Sequence, residues 1–256
     1  MISMQHFYVF RFNKWKRWAF VVAAAMFTAL IIWMETSSSL SVFSSKEKPA
    51  ALTQGSKEAP NIALTFNISW GDTQAIPILD ELKEQNVKAT FFVSGEWAER
   101  HPQIIDRIVE DKHELGMMGY RYKSYIDQEP AQIRKDLSYA KEIFRKLGHE
   151  DIELLRAPTG DFNTEIIQLS ETLGLKVIQY SVNPQDWRNP GTQLIVDEVM
   201  EEASNGDIIQ LHASDSVKQT EKALETILPA LKNKGYHYVT VSELIAGGTP
   251  ELNEVN

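Results

Sequence analysis

The chain has 256 residues, within reach of a single (β/α) barrel, and its 43% hydrophobic and 24% charged residues supply a sizeable core and exclude wholesale disorder. A formal net charge of −9, with no long basic run outside the N-terminus, leaves no surface for neutralising phosphates, so nucleic acid is not an expected partner. The absence of cysteine removes disulfides, thiolate metal sites and a cysteine nucleophile, and leaves the compartment to be read from the N-terminus.

That N-terminus carries Arg11, Lys14, Lys16 and Arg17 ahead of an uncharged, proline-free run from Trp18 to Met34, with tryptophans near both ends. Basic residues stay on the cytoplasmic side and interfacial tryptophans flank a bilayer core, so residues 1–17 are expected in the cytoplasm and 18–34 as a transmembrane signal anchor. No small-residue cleavage site follows closely, which favours retention of the anchor. Residues 35–60, rich in Ser, Lys, Glu, Ala and Pro, are expected as a flexible tether to an extracytoplasmic domain.

From residue 61 to 246 short apolar runs alternate with amphipathic stretches, the pattern of successive βα units, and 247–256 is expected as a tail. The expected strands are Ile62–Phe66, Ala89–Val93, Glu114–Gly116, Ile152–Leu155, Val177–Val182, Asp207–Leu211 and Tyr238–Val241. Between them Ile133, Leu137, Ala140, Phe144 and Leu147, and later Leu224, Ile227, Leu228 and Leu231, recur at helical spacing. Helix starts are expected at Asn163, Thr192 and Ser216. About seven strands with intervening helices predict an α/β fold, a single distorted (β/α) barrel rather than an open sheet.

In parallel α/β folds the working residues gather at the C-terminal ends of strands. The segments there are Asn67-Ile68-Ser69-Trp70-Gly71-Asp72, Met117-Met118-Gly119-Tyr120-Arg121-Tyr122, Arg156-Ala157-Pro158-Thr159-Gly160, Asn183-Pro184-Gln185-Asp186-Trp187 and His212. Taken singly, each has a plain reading. Asn67 is a turn-capping amide, Met118 and Tyr122 are packing residues, Arg156 pairs with Asp186 or caps a strand, and His212 is a satisfied core histidine. His101, His113, His149 and His237 look like surface residues. Asp72, Asp215 and His212 lie on neighbouring loops, but no spacing dictates a relocated metal site.

Together and in order, these segments resemble the NodB-type polysaccharide deacetylases of carbohydrate esterase family 4, marked by T-F-D-D, H-x-x-x-H, R-x-P-x-G, D-x-x-D-W and L-x-H along a distorted (β/α) barrel. The phrases TFNISWGD and LHASD look most like the membrane-anchored members that spore-forming bacteria make during sporulation. The resemblance implies hydrolysis of N-acetyl groups on cell-wall glycan, with peptidoglycan as partner and a divalent metal, usually zinc, as cofactor. It implies an Asp base at Asn67, metal ligands at Ile68, Met118 and Tyr122, an orienting Arg156, an acid His212 and Asp186 tuning that acid. Pro158 matches the third motif, and Gln210 stands where the family has an apolar wall of the acetyl pocket. Trp70, Tyr120 and Trp187 are available to stack on sugar rings.

The chain therefore departs from the family at the base and at all three metal ligands, so no cofactor is predicted for it. Losing a positioned base costs about 10²- to 10⁴-fold, and losing the metal several kcal/mol more. Together these remove on the order of 8 kcal/mol, about 10⁶ in rate. Two functions follow: a deacetylase working by an unusual route, or a glycan-binding scaffold on a deacetylase fold. The sequence leaves the oligomeric state open.

Overall fold

The computed structural model describes residues 50–247 and 251–254, together with Trp15, Trp18, Val22 and residues 25–28 nearer the N-terminus. They belong to two units, Met1–Glu47 and Lys48–Asn256. The expected anchor at 18–34 lies for the most part outside the described residues. Among the described residues no helix is long and apolar enough to cross a membrane.

The larger unit runs β1 (Ala50–Gln54), β2 (Asn61–Ile68), α1 (Ala75–Glu84), β3 (Thr90–Val93), α2 (Gly95–Arg100), α3 (Pro102–Glu110), β4 (Glu114–Met117) and α4 (Pro130–Lys146). It continues through β5 (Leu154–Leu155), α5 (Thr164–Thr172), β6 (Lys176–Val177), α6 (Thr192–Glu202), β7 (Ile208–His212), α7 (Thr220–Asn233), β8 (His237–Val239), α8 (Val241–Ala246) and β9 (Glu251–Glu254). Seven strands form one parallel sheet in the order β6-β5-β4-β3-β2-β7, with β8 paired to the first residues of β2. The sheet curls into a half-barrel. Beyond β6 the chain reaches β7, where Gln210 N–H donates to the Val182 carbonyl at 2.9 Å and Ser181 N–H to the Ile208 carbonyl at 3.0 Å.

Both faces of this sheet are covered, which is why β2 reads as a continuous apolar run rather than an alternating one. Successive side chains still point to opposite faces. Ile62, Leu64, Phe66 and Ile68 join the large cluster that also holds the buried faces of the helices, among them Ile133, Leu137 and Phe144 of α4 and Leu224, Ile227 and Leu231 of α7. Ala63 belongs instead to a smaller cluster with Phe92, Met118, Leu154, Ile178 and Ile208, closed at one end by Val241 and Leu244 of α8. Thr65 and Asn67 continue that second face toward the C-terminal end of the sheet.

Several boundaries move. The expected strand over 177–182 contracts to Lys176–Val177 and continues as single bridges, Leu52 to Ile178 and Val182 to Ile209. Asn163 does cap α5, its side chain accepting from Ile166 N–H at 2.9 Å. The helix expected from Ser216 starts at Thr220. Strand β1 lies inside the expected tether and pairs antiparallel with β9, which lies inside the expected tail. Short, mixed-polarity strands separated by almost the whole chain leave no local periodicity to read. His113, expected at the surface, is buried. Its Nδ1 accepts from Ala89 N–H at 3.1 Å, its ring meets Phe91 edge-on, and burial lowers its pKa to about 4.

Candidate functional site

The C-terminal ends of β2, β5 and β7 converge on a cleft of about 560 Å³. Asn67 and His212 are registered neighbours on the parallel pair β2 and β7, so their side chains leave the sheet side by side into this cleft. Around them stand Trp70, Tyr122, Tyr180 and Trp187, with Gln210 below and Arg188 at the rim. Trp70 and Trp187 are each about half exposed, 54% and 46%, and the Arg188 guanidinium lies over the Trp187 ring at 4.8 Å.

Arg156 follows β5 and is completely buried. Its guanidinium lies over the Phe92 ring at 4.1 Å and donates to Thr65 Oγ1 and Asn67 Oδ1, both at 2.9 Å, and to the Gln179 carbonyl at 3.0 Å. All of these partners are neutral. Desolvation lowers its pKa to about 9, still above neutral pH, so the cation persists without a carboxylate beside it. An arginine can only donate. The Asn67 oxygen must therefore face Arg156, and its Nδ2 turns toward the cleft, where it has no partner among the described residues. Arg156 does not pair with Asp186.

Asp186 is also fully buried, in the short helical turn Asp186–Arg188 that follows β6. One of its oxygens accepts from His212 Nδ1 at 2.7 Å, the other from His212 N–H at 2.8 Å and Thr220 Oγ1 at 2.7 Å. Beside this carboxylate the His212 proton sits on Nδ1, which donates to Asp186, and Nε2 is left for the cleft. Gln185 and Asn189 flank the turn with φ of 51° and 53°, a left-handed conformation held by Asn189, which accepts from Lys218 N–H at 2.8 Å and donates to the Ser216 carbonyl at 2.8 Å.

At the front, Gly71 has φ 71° and a Cβ there would meet the Asp215 carboxyl at 2.2 Å, so only glycine makes this turn. Asp215 caps it by accepting from Thr73 and Gln74 N–H.

The three positions at which the resemblance implies metal ligands do not come together as donors. Ile68 is buried in the helix-facing cluster, Met118 is buried in the inner cluster, and Tyr122 alone lines the cleft, its phenol pKa raised by burial. Among the described residues no group of three His, Cys, Asp or Glu side chains could hold a metal ion. A divalent metal with hard or imidazole donors does not fit an isoleucine, a thioether and a neutral phenol.

Two expected glycan contacts are displaced. Tyr120 leaves the cleft: its hydroxyl donates to Glu99 at 3.1 Å, its ring meets Tyr139, and it lines a separate hollow with Arg121 and Lys123. Pro158 is buried behind the wall, and Thr159 and Gly160 present themselves instead, at φ 65° and 86°. Sequence reasoning missed Tyr180 and Arg188. Arg188 was adjacent to the Asp186-Trp187 motif, but nothing in its spacing distinguished it from a solvated surface charge.

A curled parallel sheet with a strand-end cleft, an aromatic rim and a buried His–Asp dyad defines an α/β scaffold of the carbohydrate-esterase type. Residues 54–178 match the polysaccharide deacetylase family. A peptidoglycan-N-acetylglucosamine deacetylase of Bacillus cereus is 35% identical over 197 residues, covering 73% of this chain and 91% of that protein. A peptidoglycan-N-acetylmuramic acid deacetylase of Bacillus subtilis is 28% identical, covering 78% and 76%. Among solved structures, a carbohydrate esterase family 4 pseudoenzyme from Bacillus anthracis superposes with TM-score 0.73 at 27% identity, covering 78% of this chain and 70% of that one. A mutant of the same pseudoenzyme is described as having restored enzymatic activity. The chain belongs to the polysaccharide deacetylase family.

Proposed function

We propose that this protein recognises peptidoglycan glycan in the strand-end cleft without zinc-dependent deacetylation, as an extracytoplasmic protein held to the membrane by residues 18–34, and that it works during sporulation. The observation that carries the reading is Asn67, a neutral amide whose oxygen is tied to Arg156 where the family places a carboxylate base. Hydrolysis of an acetamide needs a nucleophile made from water, and an amide takes no proton at neutral pH. The nearby pseudoenzyme shows that the family tolerates loss of activity on an intact scaffold, and the peptidoglycan deacetylases among the relatives supply the glycan class. Localisation and the sporulation role rest on the N-terminal pattern and on the phrases TFNISWGD and LHASD.

A second reading has one observation in its favour. The His212–Asp186 dyad keeps the geometry of an acid that protonates a leaving amine, which fits a deacetylase working by another route. Acetate release from peptidoglycan fragments, with metal analysis of the purified protein, separates the two. The expected outcome is fragment binding with no stoichiometric zinc and no acetate above the uncatalysed rate. Turnover abolished by a chelator would falsify the non-hydrolytic reading.

A further inference from the structure

A second hollow, of about 490 Å³, lies outside the strand-end cleft and is lined by the segment from Tyr120 to Gln128 and the first turns of α4. Three cations line it, Arg121, Lys123 and Lys135, and among the described residues none of their side chains has a hydrogen-bond or ion-pair partner. Other surface cations of this chain of net charge −9 do, such as Lys83 and Arg107 with Asp111, and Lys222 with Glu225. Asp136 is the one carboxylate in the lining, and Glu99 stands behind Tyr120, accepting from its hydroxyl at 3.1 Å. Glu96, one turn before Glu99, is paired with Arg100, and Asp127 lines a different hollow. Three positive charges therefore stand against two negative ones.

The backbone that carries these cations is fixed. Asp136 accepts from Tyr120 N–H at 2.9 Å, from Arg121 N–H at 3.2 Å and from the buried Tyr125 hydroxyl at 2.6 Å, so both of its oxygens are engaged by the protein. Only glycine fits at 119, where φ is 71° and a Cβ would run into the Tyr125 hydroxyl. The Gln128 amide closes the segment by donating to the Ser124 carbonyl at 2.6 Å.

Cations held together without partners repel one another, and an anion among them relieves that repulsion. A phosphate monoester brings three terminal oxygens and a charge of about −1.5 to −2 at neutral pH, enough for three cations, whereas a carboxylate brings two oxygens and one charge. Beside the cations, Gln132 offers an unengaged side-chain amide and Tyr139, 43% exposed, offers ring carbon, which suits a hydroxylated carbon skeleton.

We propose that this hollow is an anion site for a sugar phosphate, with the phosphate on Arg121, Lys123 and Lys135 and the sugar against Tyr139 and Gln132. The site does not depend on what the strand-end cleft holds.

The test follows binding of glucose 6-phosphate to the full chain by phosphorus NMR, with glucuronate and inorganic phosphate as competitors. Glucose 6-phosphate is expected to bind at least about fivefold more tightly than either competitor, and to weaken several-fold as salt is raised to about 0.5 M, because exposed charges are screened. Lys123→Gln combined with Lys135→Gln, both at exposed positions, is expected to weaken binding at least about fivefold, the upper scale of one exposed ionic contact, with an unchanged urea midpoint showing that the variant folds. Arg188→Gln, in the strand-end cleft, is expected to leave this binding as it is. Binding lost in Arg188→Gln and kept in the double variant places the anion in the cleft and overturns the proposal. Glucuronate competing as well as the phosphate ester overturns the choice of phosphate, inorganic phosphate competing as well overturns the sugar, and no saturable binding overturns the site.

Discussion

Asn67 shows how much one atom's identity decides. Replacing its amide by a carboxylate would give the buried Arg156 its missing counter-charge at a contact now 2.9 Å long. The Asn67→Asp variant is therefore expected to unfold at higher urea at pH 7, by about 1.5–3 kcal/mol, the range for hydrogen bonds to charged groups. The sign follows from linkage. Beside a guanidinium the new carboxyl's folded pKa lies below its unfolded value of about 3.9, so the gain is present above that pH and disappears as pH falls through the folded value. A variant less stable than the parent at pH 7 would mean that Arg156 is already satisfied by its neutral partners. The strand-end placement of Arg156 was legible from Arg-x-Pro-x-Gly, but not the direction in which it holds the amide, because that depends on Thr65, Gln179 and Phe92 from three other segments.

At the scale of elements, the register of β2 separates neighbours. Asn67 faces the cleft and Ile68 the helices, so a one-residue step divides a ligand-facing position from a core position. The N-terminal ends of the interior strands β3 and β4 carry the clearest pH dependence. His113 is folded neutral with a pKa near 4 against 6.5 for the free side chain, because burial penalises the cation. Its folded value is depressed, so stability is highest above about pH 6.5 and falls as pH drops from there toward 4, by at most on the order of 3 kcal/mol. In His113→Asn an amide oxygen can keep the hydrogen bond from Ala89 N–H while nothing titrates. Its unfolding free energy, followed by urea titration between pH 7 and 4.5, is expected to vary less with pH than that of the parent. Parallel slopes for the two proteins would remove His113 as the cause.

For the whole molecule, β1 and β9 alter where the folded unit begins and ends. Ala51 and Leu52 are buried, Leu52 in the inner cluster, and Gly55 N–H donates to the Gly206 carbonyl at 2.7 Å. A chain starting at residue 55 is expected to lose on the order of 3 kcal/mol relative to one starting at 48, the cost of emptying a buried leucine site. Matching urea midpoints and slopes for the two would show that β1 contributes little. The seven parallel strands, helices α4 to α7 and the strand-end placement of Asn67, Arg156, Asp186, Trp187 and His212 could be read from the chain alone, because apolar periodicity and ordered motifs are local signals. The identities of residues 67, 68, 118 and 122 are local too, and it is the resemblance that marks them as departures. Only the tertiary structure decided that Tyr120 leaves the cleft, that Ile68 and Met118 lie in separate buried clusters, that β1 pairs with β9, and that Arg156 is a cation without a carboxylate. Each of those depends on which way a side chain turns or on partners far apart in sequence, and neither is encoded in any single window of residues.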